Sequence, residues 1–328
     1  MKLLQLVPGF GRSENGLLHY ARVLEKELLK KNIVSSYDPG EADKADAIFL
    51  NYSGYGYQKR GLPVDLYLNV RRMVKRNKIP LFIYFHELYA GGNRWNQSSF
   101  WLYPLQKKLC HLFLDLSAVS FCGNEVMVGL LRKGLPEAAG RISYAGLFSN
   151  IPVPEQNRAL REKVAVVFGS AGKRAELCRN LPLIEQVCNK LGVYKIIDIG
   201  DGVLSGYGSL RNISVDVKGA LAPGEVAAIL QSSQYGFLSY VEHLFGKSSI
   251  FAAYAGNGMT VVNFPPESQS PKDGLIRGVH YLNAEQVTEE SHLRARDFSD
   301  AIFSWYQPRR AANHSKIIYE AIKKEIDQ

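Results

Sequence analysis

Between residues 235 and 262 the sequence YGFLSYVEHLFGKSSIFAAYAGNGMTVV carries ionisable and small residues at a spacing suited to holding an anion. Glu242 and His243 fall in a loop, and Gly246-Lys247-Ser248-Ser249 stand where a helix is expected to begin. Amides in the first turn of a helix have no acceptor within it, and the macrodipole favours negative charge there. Gly246 lets a ligand approach the backbone, Lys247 adds a full charge and the hydroxyls add donors. The chemistry indicated is the seating of a phosphate or diphosphate. A second group, Gly169-Ser170-Ala171-Gly172-Lys173-Arg174, follows the apolar run Val164–Phe168. At least one of Lys173 and Arg174 is expected on phosphate, the plainer alternative being a solvated first helical turn. A third candidate is His86, followed by Glu87, at the end of the apolar run 80–85. Neither Gly-Lys pair belongs to a nucleoside-triphosphate loop, which requires a glycine five positions earlier. Val241 and Val167 occupy those places.

The elements that must position these groups alternate throughout. Met1–Val7 reads as a strand, followed by a loop bearing Gly9, Gly11 and Gly16, and then by a helix with Leu17, Ala21, Leu24 and Leu28 on one face. Glu14 stands where a dinucleotide fingerprint would need its third glycine. Further strands are expected at 47–51, 80–85, 116–121 and 142–144, and helices from Leu66 and over 100–114. Two prolines and a polar run place a domain boundary within 149–163. The second half restarts the pattern with strands at 164–168, 195–199, 213–217, 235–238 and 259–262. Its helices are expected from the Gly169 turn to about Leu191, over 223–231, and over 298–305 and 311–326. Strand alternating with helix predicts parallel sheets covered on both faces, with ligands at the carboxyl ends of the strands. The expected domains are 1–150 and 163–305, with the 311–328 helix a candidate to complete the first. The fold class is α/β, two Rossmann-like doubly wound domains facing across a cleft.

The chain has 328 residues, 46% of them hydrophobic and 22% charged, as in a soluble globular protein. No apolar run is long enough to span a bilayer. Cys110, Cys122, Cys178 and Cys188 form no Cys-x-x-Cys pair and read as reduced thiols in a cytoplasmic protein. The net charge of +9 lies almost wholly in residues 1–150, where 20 Lys and Arg face 12 Asp and Glu. A basic half suits an anionic membrane surface or substrate. No nucleic-acid-binding signature accompanies it. Arg71, Arg72, Lys75, Arg76 and Lys78 on one expected helix face are either a solvated surface or a lipid-facing patch.

Taken in order, these features resemble the two-domain GT-B glycosyltransferases, and among them the bacterial family 4 enzymes that use nucleotide sugars. The resemblance rests on the first loop leading into Gly16-Leu17-Leu18 and on Phe85-His86-Glu87. It rests also on Val167-Phe168-Gly169 with Lys173 and Arg174 behind it, and on the run from Gly219 to Val262. The family pairs two glutamates around a Phe-Gly. Aligning Phe245-Gly246 with it puts His243 and Phe251 at those positions, and Glu242 supplies the first contact by a one-residue shift.

The resemblance implies donor binding by Gly16, Gly169, Lys173, Arg174, Glu242, His243, Gly246, Lys247 and Ser248, and catalytic roles for His86, Lys247 and Glu242. It also implies retention of anomeric configuration. No cofactor or metal is expected, the nucleotide sugar being a co-substrate whose departing diphosphate is stabilised by basic groups. The acceptor would be a saccharide or lipid-linked saccharide in surface polysaccharide or glycoconjugate synthesis. The protein would lie in the cytoplasm, peripheral on the inner membrane face. Aromatic stretches 52–57 and 93–101 are candidates to shape the acceptor pocket. The competing readings are a non-catalytic binding or scaffold protein of the same fold and a sugar-nucleotide epimerase.

Overall fold

Apolar strands followed by one-sided helices build two parallel sheets of six strands each. The computed structural model describes residues 1–9, 16–90, 98–157, 160–202, 210–265 and 269–327. Gly11 and Glu14 of the first glycine-bearing loop, and residues 93–97 of the second aromatic stretch, lie outside them. The chain divides into one unit of Met1–Gly146 with Ala311–Gln328 and a second of Leu147–Arg310.

The first unit runs β1 (Lys2–Leu6), α1 (Gly16–Leu29), β2 (Val34–Ser36), β3 (Ala47–Tyr52), α2 (Gly54–Tyr57), α3 (Val64–Asn77), β4 (Leu81–Phe85), α4 (Ser98–Leu116), β5 (Val119–Cys122), α5 (Glu125–Gly134) and β6 (Ile142–Tyr144). The strands stand in the order β2-β1-β3-β4-β5-β6. Alternation along the strands sends Leu4, Ile48, Leu50, Tyr52, Ile83 and Phe85 to one face, where they meet Val70 of α3 and Leu109, Cys110 and Phe113 of α4. Asn51, Tyr84 and His86 belong to the opposite face, where Tyr20 of α1 meets Tyr84 and His86.

The second unit runs β7 (Glu162–Phe168), α6 (Ala171–Cys178), α7 (Leu181–Leu191), β8 (Lys195–Ile199), β9 (Ser214–Gly219), α8 (Pro223–Ser232), β10 (Ser233–Leu238), α9 (Ser249–Gly256), β11 (Thr260–Asn263), β12 (Leu282–Asn283) and α10 (Ala295–Tyr306). Its sheet order is β12-β11-β10-β7-β8-β9, the doubly wound dinucleotide-fold arrangement. The strand order reverses between β7 and β10, and ligands of such sheets bind at that reversal. The chain then returns to the first unit as α11 (Ala311–Ile326). The helix expected from Gly169 to Leu191 is two helices, because Pro182 lacks a donor and is accommodated only in a first turn, at the start of α7. All four cysteines are free thiols.

Candidate functional site

The reversal in the second unit is built by β7, β10 and the two segments that follow them. Gly236 and Phe237 pair with Val166 and Val167. A Cβ at Gly236 would lie 2.6 Å from the Tyr254 ring, so glycine there lets α9 settle onto the strands. The Tyr254 hydroxyl accepts from the Phe168 amide at 2.9 Å and donates to the Val166 carbonyl at 2.9 Å. Burial pushes this phenol far above its ordinary range, keeping it a neutral donor and acceptor. One side chain of α9 thus fixes the end of β7.

Gly169 follows directly with φ of 136°, a conformation open to glycine alone. A Cβ on it would lie 2.5 Å from Cδ1 of Ile250. The glycine turn after β7 and the start of α9, separated by 80 residues of chain, therefore touch. Ser248 caps α9, its Oγ accepting from the Phe251 amide at 3.2 Å. The first-turn amides that the cap does not take are those of Ser249 and Ile250. Lys247 precedes the cap at the end of a short 3-10 turn, Glu242–Lys247. Beside these groups a small pocket is lined by Phe168, Lys173, Ser239, Tyr240 and Ile250. Lys173 is half exposed, pairs with Glu176 at 3.0 Å and stands 5.1 Å over the Tyr240 ring. The structure thus brings Gly169, Lys173 and Ser248 into one neighbourhood, with Gly246 buried and His243 and Lys247 half-buried in the adjoining turn.

Arg174 and Glu242 are placed differently from a ligand-facing role. Arg174 is buried and ion-paired with buried Asp198. Its Nε donates to the Gly169 carbonyl at 3.0 Å, and Nη2 donates to the carbonyls of Asp201 and, at 3.0 Å, Gly202. It ties the turn after β7 to the turn after β8. Gly200 in that second turn has φ of 149°, and a Cβ there would overlap the Gly169 carbonyl at 2.0 Å. Glu242 is fully buried and accepts from Arg277 Nε at 2.9 Å, Arg277 Nη2 at 2.5 Å, the Tyr281 hydroxyl at 2.7 Å and the Gln269 amide at 3.3 Å. A carboxylate offers about four acceptor sites, so these donors saturate it. The Glu242 charge in turn raises the pKa of both Arg277 and Tyr281, with burial the larger cause for the phenol. Phe251 stacks on Phe245 at 4.2 Å and meets Tyr281 and Trp305 edge-on, as part of an aromatic core.

In the first unit, His86 ends β4. Its amide donates to the Tyr52 carbonyl at 2.9 Å and its Nε2 lies 3.2 Å from Asn51 Oδ1. Tyr20 and Tyr84 enclose the ring at 4.6 and 4.7 Å. Burial, followed by the neighbouring His314, lowers the His86 pKa to about 3, so the imidazole is neutral. His314, from α11, has Nδ1 2.9 Å from the Gly146 carbonyl and must carry its proton there. Its Nε2 therefore accepts from the Tyr20 hydroxyl at 2.6 Å. Burial lowers its pKa to about 4. Glu87 is exposed and accepts from Ser53 Oγ at 2.8 Å. Gly16 opens α1, exposed, with no atom near its Cβ position. Tyr52 lies buried on the face opposite His86, among the α3 and α4 side chains.

Sequence reasoning missed Asn51, Tyr20, His314, Tyr254, Asp198, Arg277 and Tyr281. One of them left a local signal: an aspartate inside the apolar run KIIDI requires a buried partner. The remaining pairings join residues far apart in the chain.

The fold is similar to that of solved glycosyltransferases of the GT-B type. Among similar solved structures, Anabaena HepE in complex with UDP-glucose superposes with a TM-score of 0.65 at 10% identity, over 99% of this chain and 100% of that one. An α-glucosyltransferase in complex with UDP and a DNA 13-mer gives 0.59 at 9% identity, over 98% and 99%. The lipopolysaccharide outer core galactosyltransferase WaaB gives 0.53 at 13% identity, over 99% and 100%. No protein-family model and no curated protein sequence matches the chain.

Proposed function

We propose that the protein is a glycosyltransferase that takes a sugar from a nucleotide donor bound by the second unit. The observation that carries this reading is the contact of Gly169 with Ile250. It sets the glycine turn, Lys173 and the Lys247–Ser248 helix mouth at the one place where a sheet of this order binds ligands. When the bond between sugar and diphosphate breaks, negative charge grows on the departing oxygen. A preorganised donor aimed at such charge contributes about 3–4 kcal/mol. Lys247, the amides of Ser249 and Ile250, and Lys173 are the donors assigned here. His86, held neutral by burial, is the catalytic candidate of the first unit. UDP is the first nucleotide to test, because HepE and the α-glucosyltransferase hold it or its glucose ester.

The finer reading is a retaining hexosyltransfer to a saccharide or lipid-linked saccharide in surface polysaccharide or glycoconjugate synthesis, at the cytoplasmic membrane face. The likeness to a lipopolysaccharide galactosyltransferase and the basic first half support it. The test is calorimetric titration with UDP and GDP, followed by turnover of a nucleotide-sugar panel by wild type and Lys247→Ala. Turnover should fall by about two orders of magnitude with an unchanged circular dichroism spectrum. Turnover by Lys247→Ala at the wild-type rate removes Lys247 from the mechanism.

The saturation of Glu242 and the burial of Phe251 favour one second reading, a binding protein of this fold that has lost sugar transfer. UDP binding without turnover of any donor would support it.

A further inference from the structure

The outer face of α4 is apolar where a solvated helix would be polar. Trp101 is 68% exposed, Leu105 55% and Leu112 37%. With Lys108 they occupy positions 101, 105, 108 and 112, which is one face of a helix. The inner face is accounted for, since Leu109, Cys110, Phe113 and Leu114 enter the core. Helix α3 lies beside α4, joined by the edge-to-face pair Tyr67–Phe113 at 5.3 Å. Its outer face carries Leu68, 45% exposed, and the exposed cations Arg71, Arg72, Lys75 and Arg76, with Lys78 just past its end. With Lys107 and Lys108, seven cations on this pair of helices face two acids, Asp65 and Asp115.

We propose that the outer faces of α3 and α4 dock on an anionic phospholipid bilayer, with Trp101, Leu105 and Leu112 entering the interface and the cations binding headgroups. An indole prefers headgroup depth, leucines prefer the acyl boundary, and lysines beside them reach back to the surface. Seven like charges oppose self-association through this face. Duplex DNA would match the cations but leave the tryptophan and both leucines in water. The proposal locates the membrane association in the reading above and rests on that part alone, not on glycosyl transfer. Among the described residues no helix is long and apolar enough to cross a membrane.

The experiment is co-sedimentation of the full chain with vesicles of phosphatidylcholine alone or with about a third phosphatidylglycerol. Binding should require phosphatidylglycerol and weaken with salt. Brominated acyl chains should quench tryptophan fluorescence in wild type, and Trp101→Phe should lose most of that quenching. Trp101→Ser with Leu105→Ser should weaken binding about tenfold or more, and each of Arg71→Gln and Lys75→Gln about fivefold. Both apolar residues are mostly exposed, so the double variant should melt with wild type. No preference for anionic vesicles, or binding untouched by the Trp101 and Leu105 changes, overturns the proposal. So does retention of duplex DNA, independent of Trp101, in place of vesicle binding. A UDP titration on the same preparations separates failure of docking from failure of the glycosyltransferase reading.

Discussion

Replacing Arg174 with methionine separates two roles that a basic residue behind a glycine turn can have. In the structure its guanidinium is wholly enclosed, pairing with Asp198 and donating to the carbonyls of Gly169, Asp201 and Gly202. Methionine fills similar volume but leaves the Asp198 carboxylate buried without its counter-charge. Removing one partner of a buried ion pair costs about 3–5 kcal/mol. A unit of this size loses about 2–4 °C of melting temperature per kcal/mol, giving a fall of roughly 6–20 °C. Arg174→Lys keeps the charge but not the planar fork, so it should fall between methionine and wild type. Asp198→Asn added to Arg174→Met should recover part of the loss, because neither charge is then stranded. Scanning calorimetry reads the transition of the second unit, and UDP titration reads the site. A methionine variant that melts within about 2 °C of wild type yet loses nucleotide affinity would show that the guanidinium serves a ligand, and the argument from burial would fail.

Three further outcomes are expected. Gly200→Ala should yield little folded protein, since its Cβ would overlap a backbone oxygen, whereas Gly172→Ala, with nothing within 4 Å, should be neutral or stabilise by up to about 1 kcal/mol; soluble yield and thermal melts compare them. Ser248→Ala should cost about 1 kcal/mol through loss of the α9 cap, measured by urea unfolding. The first unit should lose stability as pH falls below about 6.5, because the unfolded chain binds protons at His86 and His314 that the folded chain, with pKa values near 3 and 4, does not. The slope is at most about 1.4 kcal/mol per pH unit per histidine, and His314→Gln should remove one histidine's share; melts at pH 7, 6 and 5 that superpose would refute it.

The α/β class with parallel sheets was legible because apolar strand and one-sided helix alternate along nearly the whole chain. Most strands lie within a few residues of their expected limits, as at Lys195–Ile199 and Ile142–Tyr144. The short edge strands at 34–36 and 282–283 were not foreseen, since two or three residues carry no periodicity. α4 continues to Leu116, which delays β5 to Val119, because Leu116 fits either pattern. The glycine turns and the Ser248 helix start could be read locally. The inward turn of Arg174 could not, for its partner lies on a strand 24 residues away. Glu242 was hidden for the same reason, since Arg277 and Tyr281 lie 35 and 39 residues downstream.

The return of α11 to the first unit has a consequence for biosynthesis. Tyr20 finds its acceptor on His314, almost the whole length of the chain later. On the ribosome the first unit therefore waits, one helix short, while all of Leu147–Arg310 is made. The second unit, one uninterrupted segment, can close on its own as soon as it emerges. Newly made chains stalled before residue 311 should carry a protease-resistant second half attached to a digestible first.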